Sequence, residues 1–345
     1  MCQDIILVSD YHDAHCVIRT VDRATGSQAV RKVATAEHTL NPVIDEAARV
    51  AGDRGGQLIW LQESTTGWAR MKGLVSDRAQ FLLANVLQMP LPPKAQRRKT
   101  DKVDTACIAR EYLNGELPLA FQPEGVCRQL RRVVAVRENL VARRTSLRNW
   151  INRYLAHETW YDRTGLWSQR GLKQLKALAF PTSDRFVIDL KLEELELLTR
   201  QLEKVELQML EVYQTWSEAQ RIDAIKGIGP ISAVSILARI GPIERFPSAE
   251  QLIGFAGLAP GIRQSDEKSR GGRIGGGGTD LQLRRYLIEA TSWARTLPRY
   301  KPAYQRVQKR RGNKVGRIVV ARMLLRSIYK MLVDHVPFSA ECAAR

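Results

Sequence analysis

The chain has 345 residues, 44% of them hydrophobic, with 54 Lys and Arg against 36 Asp and Glu and a formal net charge of +18. No apolar run approaches the roughly 20 residues that span a bilayer, no signal peptide is visible, and the five scattered cysteines lack the Cys-x-x-Cys pair of a zinc site, a pattern expected of a soluble protein in a reducing cytoplasm. The charge surplus favours a polyanionic partner, nucleic acid ahead of an anionic membrane, and it is concentrated: residues 263–330 hold 18 Lys or Arg against four acids.

The first hundred residues predict strands at 4–9, 16–21 and 29–34, the last two joined by a turn through Arg23-Ala24-Thr25-Gly26-Ser27. Asn41-Pro42 is expected to open a helix carrying Val43, Ile44, Ala47 and Val50 at helical spacing. A strand at 58–62, a helix near 67–75 and a strand at 81–86 follow. The resulting order, β-β-β-α-β-α-β-α, is that of an RNase H-like sheet.

Acids stand where that order would put a metal site. The run Ile5-Ile6-Leu7-Val8-Ser9 closes on Asp10, and Leu58-Ile59-Trp60-Leu61-Gln62 closes on Glu63. Asp101 and Asp104 lie three residues apart, so on a helix they share one face. Carboxylates at strand ends and on one helical face can converge on a hard divalent cation such as Mg²⁺. His12, His15 and Cys16, just after Asp10, lack zinc-site spacing and read as strand-edge residues.

A Pro-rich, then basic linker over 88–99 leads into a helix at 101–114 that stops at Gly115. The next helix, about 126–155, alternates apolar residues with Arg128, Arg131, Arg132, Arg137, Arg143, Arg144 and Arg148. That face is either solvated or built for phosphates. In 195–216, Leu195, Leu198, Leu202, Val205, Met209, Val212 and Trp216 recur at alternating three and four. This is a coiled-coil seam, expected to drive self-association, with packing inside the chain as the alternative. Gly227, Gly229 and Pro230 mark a helix-hairpin-helix or a plain helical turn. Ser248 with Gln251 forms a capping box before Phe255-Ala256-Gly257-Leu258-Ala259-Pro260. Ser265 follows in a segment read as a flexible loop, with Arg263, Arg270 and Arg273 nearby and no Gly-x-Ser-x-Gly elbow.

In their order along the chain, Asp10, Glu63, Lys99-Thr100-Asp101-x-x-Asp104, Gly227-x-Gly229, Phe255-Ala256-Gly257-Leu258-x-Pro260, Ser265 and Leu283-Arg284-Arg285 resemble the DEDD transposases of the insertion-sequence one-ten family, the bridge recombinases, which have the Piv-type invertases as relatives. The resemblance implies a RuvC-like α/β domain over 1–125 whose Asp10, Glu63, Asp101 and Asp104 bind Mg²⁺. It implies a basic helix and coiled coil over 126–220 and a mainly helical transposase domain over 221–345, whose Ser265 attacks DNA and holds a covalent phosphoserine. Nucleic-acid contacts are expected from Arg263, Arg270, Arg273, Arg284 and Arg285. The implied partners are donor and target DNA, a structured guide RNA whose base pairing chooses the sites, and further copies of the chain in a dimer or tetramer joined through the coiled coil. The implied setting is a bacterial cytoplasm, at the nucleoid. Two other readings stay open: a metal-dependent junction nuclease whose acids activate water, and a non-enzymatic architectural nucleic-acid-binding protein.

Overall fold

Ile6 and Val8 pack on one side of the first strand, Ile5, Leu7 and Tyr11 on the other, and all five are buried, as befits a central strand. The structure, a computed structural model of the chain, describes residues 3–65, 67–89, 101–158, 162–265, 268–274 and 278–338, without the side chains of 101–103, 158 and 260–274. It divides into two compact units, Met1–Gln122 and Pro123–Arg345.

The first unit is a mixed five-stranded sheet with helices. Strands β1 (Ile5–Tyr11), β2 (His15–Asp22), β3 (Gln28–Ala34), β4 (Leu58–Glu63) and β5 (Gln80–Ala84) lie in the order β3-β2-β1-β4-β5. The first three form an antiparallel meander, while β4 and β5 run parallel to β1. Helix α1 (Glu37–Asp53) buries Leu40, Ile44, Ala47 and Ala51 against Ile5, Leu7 and Trp60. A short helix, α2 (Trp68–Val75), follows β4. Helix α3 (Asp101–Leu113) covers the opposite face, setting Ile108 and Ala109 against Ile6, Val8, Ile59 and Leu61.

The start of α1 differs from expectation: the helix begins at Glu37 and Pro42 lies inside it. Leu40, 2% exposed, sits one turn before Ile44 on the buried face. Burying such a side chain is worth about 1.5–3 kcal/mol, the same order as the about 3 kcal/mol an interior proline costs. The core therefore extends the helix through the proline.

The second unit is mostly helical. Helices α4 (Gly125–Glu158) and α6 (Thr182–Thr215) run antiparallel, joined past α5 (Gln169–Ala177), with Tyr154 donating to Asp184 at 2.7 Å near one end and Arg137 to Glu206 at 2.8 Å further along. The seam expected to drive self-association is filled by the chain itself. Leu195, Leu198 and Leu202 are buried against Leu140, Leu147 and Ile151 of α4. A spacing of three and four reports a buried stripe without naming its partner. A partner tethered by one short connection outcompetes a second molecule through its effective concentration.

Beyond this pair come α7 (Ser217–Asp223), α8 (Pro230–Ile240), α9 (Ala249–Phe255), the two-stranded β6 (Pro260–Ser265) and β7 (Lys268–Ile274), α10 (Leu281–Ala294) and α11 (Lys301–Val333). Their shared core sets Val234, Ile236 and Leu237 of α8 against Leu283, Leu287, Leu324 and Ile328. Leu130, Val134 and Met209 join the same cluster, so one core runs across residue 220. Helix α11 is two helices meeting at Gly312, whose φ of 83° and ψ of 171° leave the helical region.

Candidate catalytic acids and the serine hairpin

Strands β1 and β4 pair in parallel up to the rung Ser9↔Gln62, so Asp10 and Glu63 come next on neighbouring strands at the same sheet edge. Asp10 continues the alternation of Ile6 and Val8, and Glu63 that of Ile59 and Leu61, which are the residues that face α3. On α3, Asp104 precedes the buried Ile108 by one turn, and Asp101 precedes Asp104 by another. The four positions thus lie on one side of the sheet. The side chain of Asp101 is outside the described residues.

Asp10 is 14% exposed and its Oδ2 lies 3.5 Å from His12 Nε2. The His12 ring in turn stacks on His15 with centroids 4.8 Å apart. Among the described residues no three Asp, Glu, His or Cys side chains converge closely enough to hold a metal ion. The donor set itself, hard carboxylate oxygens on two adjacent strand ends and one helix face, suits Mg²⁺.

The opposite face of the same strand ends is held firmly. Ser9 donates to Gln62 Oε1 at 3.4 Å, both fully buried. Burial pushes the Cys16 thiol up to about 12; a hydrogen bond with Ser9 lowers it and the nearby Asp10 charge raises it. Gly67, at φ 85°, caps α2, and a Cβ there would lie 2.3 Å from the Tyr11 ring. Glycine at 67 therefore lets the chain after Glu63 close over the residue after Asp10.

Ser265 was expected in a loop; it ends a strand. The β6–β7 rungs are Ile262↔Gly271, Arg263↔Arg270, Gln264↔Ser269 and Ser265↔Lys268. Residues 266 and 267, between the last pair, lie outside the described residues, as do the side chains of Arg263, Ser265, Arg270 and Arg273. By register parity Arg263, Ser265, Lys268 and Arg270 fall on one face of the hairpin.

The hairpin springs from a braced base. Ala256 and Leu258 are fully buried, and the Arg245 guanidinium lies 4.6 Å from the centre of the Phe255 ring. Asp280 Oδ1 accepts from the backbone of Gln282 and Leu283 at 3.1 and 2.9 Å, capping α10. Arg239 joins the N-cap region to α4, 2.8 Å from Glu138 and 3.6 Å from Asp280. Arg284, expected to contact nucleic acid, reaches the Gly257 carbonyl at 3.5 Å and so also serves this base.

The basic helix α4 is only partly a phosphate face. Arg131 donates to the carbonyls of Ala238 and Arg239 at 2.7 Å each, closing the C-terminus of α8, where a cation opposes the helix dipole. Burial lowers the pKa of Arg131, and brings Arg245 down to about 10. Arg137 is bound to Glu206, and Arg148 lies 5.1 Å from the centre of the Trp167 ring. Arg132, Arg143 and Arg153 remain exposed. So do Arg306, Lys309, Arg310, Arg311 and Lys314 around the Gly312 break, a cluster that the sequence signalled only by a glycine set within a basic run. A turn through Gly227 joins α7 to α8, with Pro230 in the first turn of α8. Gly227, at φ 104°, packs on α10: a Cβ would lie 2.5 Å from the Ala290 carbonyl oxygen.

Residues 8–158 match the family model of the IS110 DEDD transposases, described as Transposase, and residues 219–308 match the model described as Transposase IS116/IS110/IS902 family. The chain belongs to the IS110 family of transposases. It is similar to y4qE of Sinorhizobium fredii, described as a transposase, with 29% identity over 206 residues, 59% of this chain and 49% of that one. It is also similar to the transposase for insertion sequence element IS1111A of Coxiella burnetii, with 27% identity over 186 residues, 51% and 50% of the two chains. The matched stretches thus span about half the length of these relatives. The first IS110 model takes in the sheet, α3 and α4; the second runs from α7 into α11 and contains the serine hairpin. No described helix is long and apolar enough to cross a membrane.

Proposed function

We propose that this chain is a site-specific DNA transposase that cuts and rejoins DNA through Ser265, assisted by Mg²⁺ on Asp10, Glu63, Asp101 and Asp104. The observation that carries the proposal is the common location of the four acids beside a sheet ordered β3-β2-β1-β4-β5. That order supports an RNase H-like, RuvC-like reading of the first unit. Mg²⁺ bound to these carboxylates would supply charge neutralisation at the phosphate. The chain's own residues do the rest. The Ser265 hydroxyl attacks the phosphorus, the bond to one sugar oxygen breaks and that oxygen leaves as a hydroxyl, so the phosphate remains on the serine. Attack by another sugar hydroxyl restores the serine and joins the strands.

The hairpin register supports this role. Arg263 directly opposite Arg270 is a like-charge pair that repels unless an anion lies between. A phosphate beside Ser265 would relieve that repulsion while the cations stabilise the charge of the transition state. Arg273 on β7 and Arg284 and Arg285 on α10 add positive charge close to the hairpin in sequence. In the same reading a structured guide RNA pairs with donor and target DNA and so chooses the sites. A dimer or tetramer brings the acids of one copy to the serine of another, through surfaces other than the filled 195–216 seam. That activity belongs at the nucleoid of a bacterial cytoplasm.

A suicide DNA substrate tests the proposal. A protein–DNA adduct should survive denaturation, map to Ser265 by mass spectrometry and vanish in Ser265→Ala, while Asp101→Ala binds DNA and forms no joined product. If Ser265→Ala still cuts DNA, a junction nuclease in which the acids activate water takes its place.

A further inference from the structure

Helices α4 and α10 flank a groove of about 1030 Å³ in the second unit. The α4 side contributes Asn149, Asn152 and the exposed Arg153; the α10 side contributes Arg285 and Tyr286. Glu289 is the one acid among the described lining residues. Arg137, Arg153, Arg285, two asparagines and Tyr286 thus bring hydrogen-bond donors and positive charge to a lining that also includes Val141 and Ala142.

Two of those donors are unused. Among the described residues the Tyr286 hydroxyl and Arg285 Nε are buried with no hydrogen-bond partner, and Tyr286 as a whole is 4% exposed. Glu289 Oε1 stands 3.8 Å from Arg285 Nε, beyond hydrogen-bond range. Proteins rarely leave buried donors unpaired, because the lost solvation is not returned. Here two adjacent residues do so beside an open groove of about 1030 Å³, at the upper end of the ~300–1,000 Å³ of ordinary small-molecule sites. An elongated ligand rich in acceptors meets those conditions. A single nucleic-acid strand offers phosphates, sugars and free base edges to donors deep in a groove, whereas a duplex offers mainly its outer surface.

We infer that the α4–α10 groove binds a single-stranded nucleic-acid segment. Arg153 holds phosphate, Asn149 and Asn152 read sugar hydroxyls or base edges, and Arg285 and Tyr286 donate from the floor. The choice of nucleic acid as the ligand class rests on the transposase reading, but nothing in the inference depends on the chemistry of Ser265.

The test is fluorescence anisotropy on the full chain with a short oligouridylate, an oligothymidylate of equal length and a duplex DNA. Tyr286→Phe removes one oxygen and keeps the ring, so single-strand affinity should fall roughly fivefold at an undiminished melting temperature. Arg153→Glu should weaken single-strand binding more than Arg143→Glu, which makes the same charge change on α4 outside the groove. Loss with oligouridylate alone identifies RNA as the ligand, loss with oligothymidylate alone identifies DNA, and loss with both identifies either strand. A silent Tyr286→Phe, equal effects of Arg153→Glu and Arg143→Glu, or losses confined to the duplex would overturn the inference. Wild-type groove binding in a chain that forms no serine adduct would leave it standing and remove the serine mechanism alone.

Discussion

The backbone N–H of Asp280 donates to the carbonyl of Phe255 at 2.7 Å, joining the end of α9 to the start of α10 across the foot of the hairpin that carries Ser265. Everything between those two residues is a closed excursion from a fixed base. The Asp280 side chain meanwhile caps α10 and faces Arg239. One residue therefore holds the foot of the hairpin, the helix after it and the ion pair to α4.

Asp280→Ala keeps the backbone bond and removes the cap, which is worth about 1 kcal/mol. We expect a small drop in melting temperature and a larger rise in amide hydrogen exchange over 260–274 than over α8. Unchanged exchange in the hairpin would mean that its base is set by the backbone alone.

Leu202 and Met209 are 3% and 0% exposed within the second unit. Leu202→Ala should cost about 2–5 kcal/mol of stability, and Leu202→Glu with Met209→Glu should prevent cooperative folding of the second unit. Chemical denaturation of the full chain checks both. Variants that stay as stable as the parent while falling to a smaller oligomer would show that the seam faces another molecule.

Asp22 gives a pH signature. The Arg54 guanidinium, 2.8 Å away, is the main reason its carboxyl is lowered from 3.8 to about 2, with the Thr25 and Ala24 amides assisting. The folded state therefore holds the proton less tightly than the unfolded chain. The stabilisation is complete above the unfolded pKa and is lost as pH falls through about 2. Arg54→Ala should lower the urea midpoint at neutral pH, with the difference from the parent shrinking between about pH 4 and pH 2. A difference that persists at the acid end would mean Arg54 acts through packing instead.

The positions of Asp10 and Glu63 near the ends of β1 and β4 were legible because a central strand must be apolar along its length, so an acid closing such a run falls where the strand is ending. The start of α1 was not, since Pro42 resembles a first-turn proline and only the burial of Leu40 reveals the extra turn. The serine hairpin escaped because Pro260–Ile274 has no apolar alternation, and strand pairing there is carried by backbone bonds. Arg131, Arg137 and Arg148 looked like a phosphate face because a sequence counts charges and not their partners. Tyr286 gave no signal at all: an unpaired hydroxyl exists only once its neighbours are in place.

Filling the seam from within has a mechanical result. Between Met209, set in the α8 core, and Thr182, next to α5, helix α6 runs about 40 Å at 1.5 Å per residue. Buttressed along that length by α4, it is a stiff strut rather than a tether. It holds its own Thr182 end at a fixed interval from the α8 core, while α5 lies alongside it as far as Glu196, which pairs with Lys176. Shortening α4 and α6 together by whole heptads would change that interval while keeping the register between the two helices.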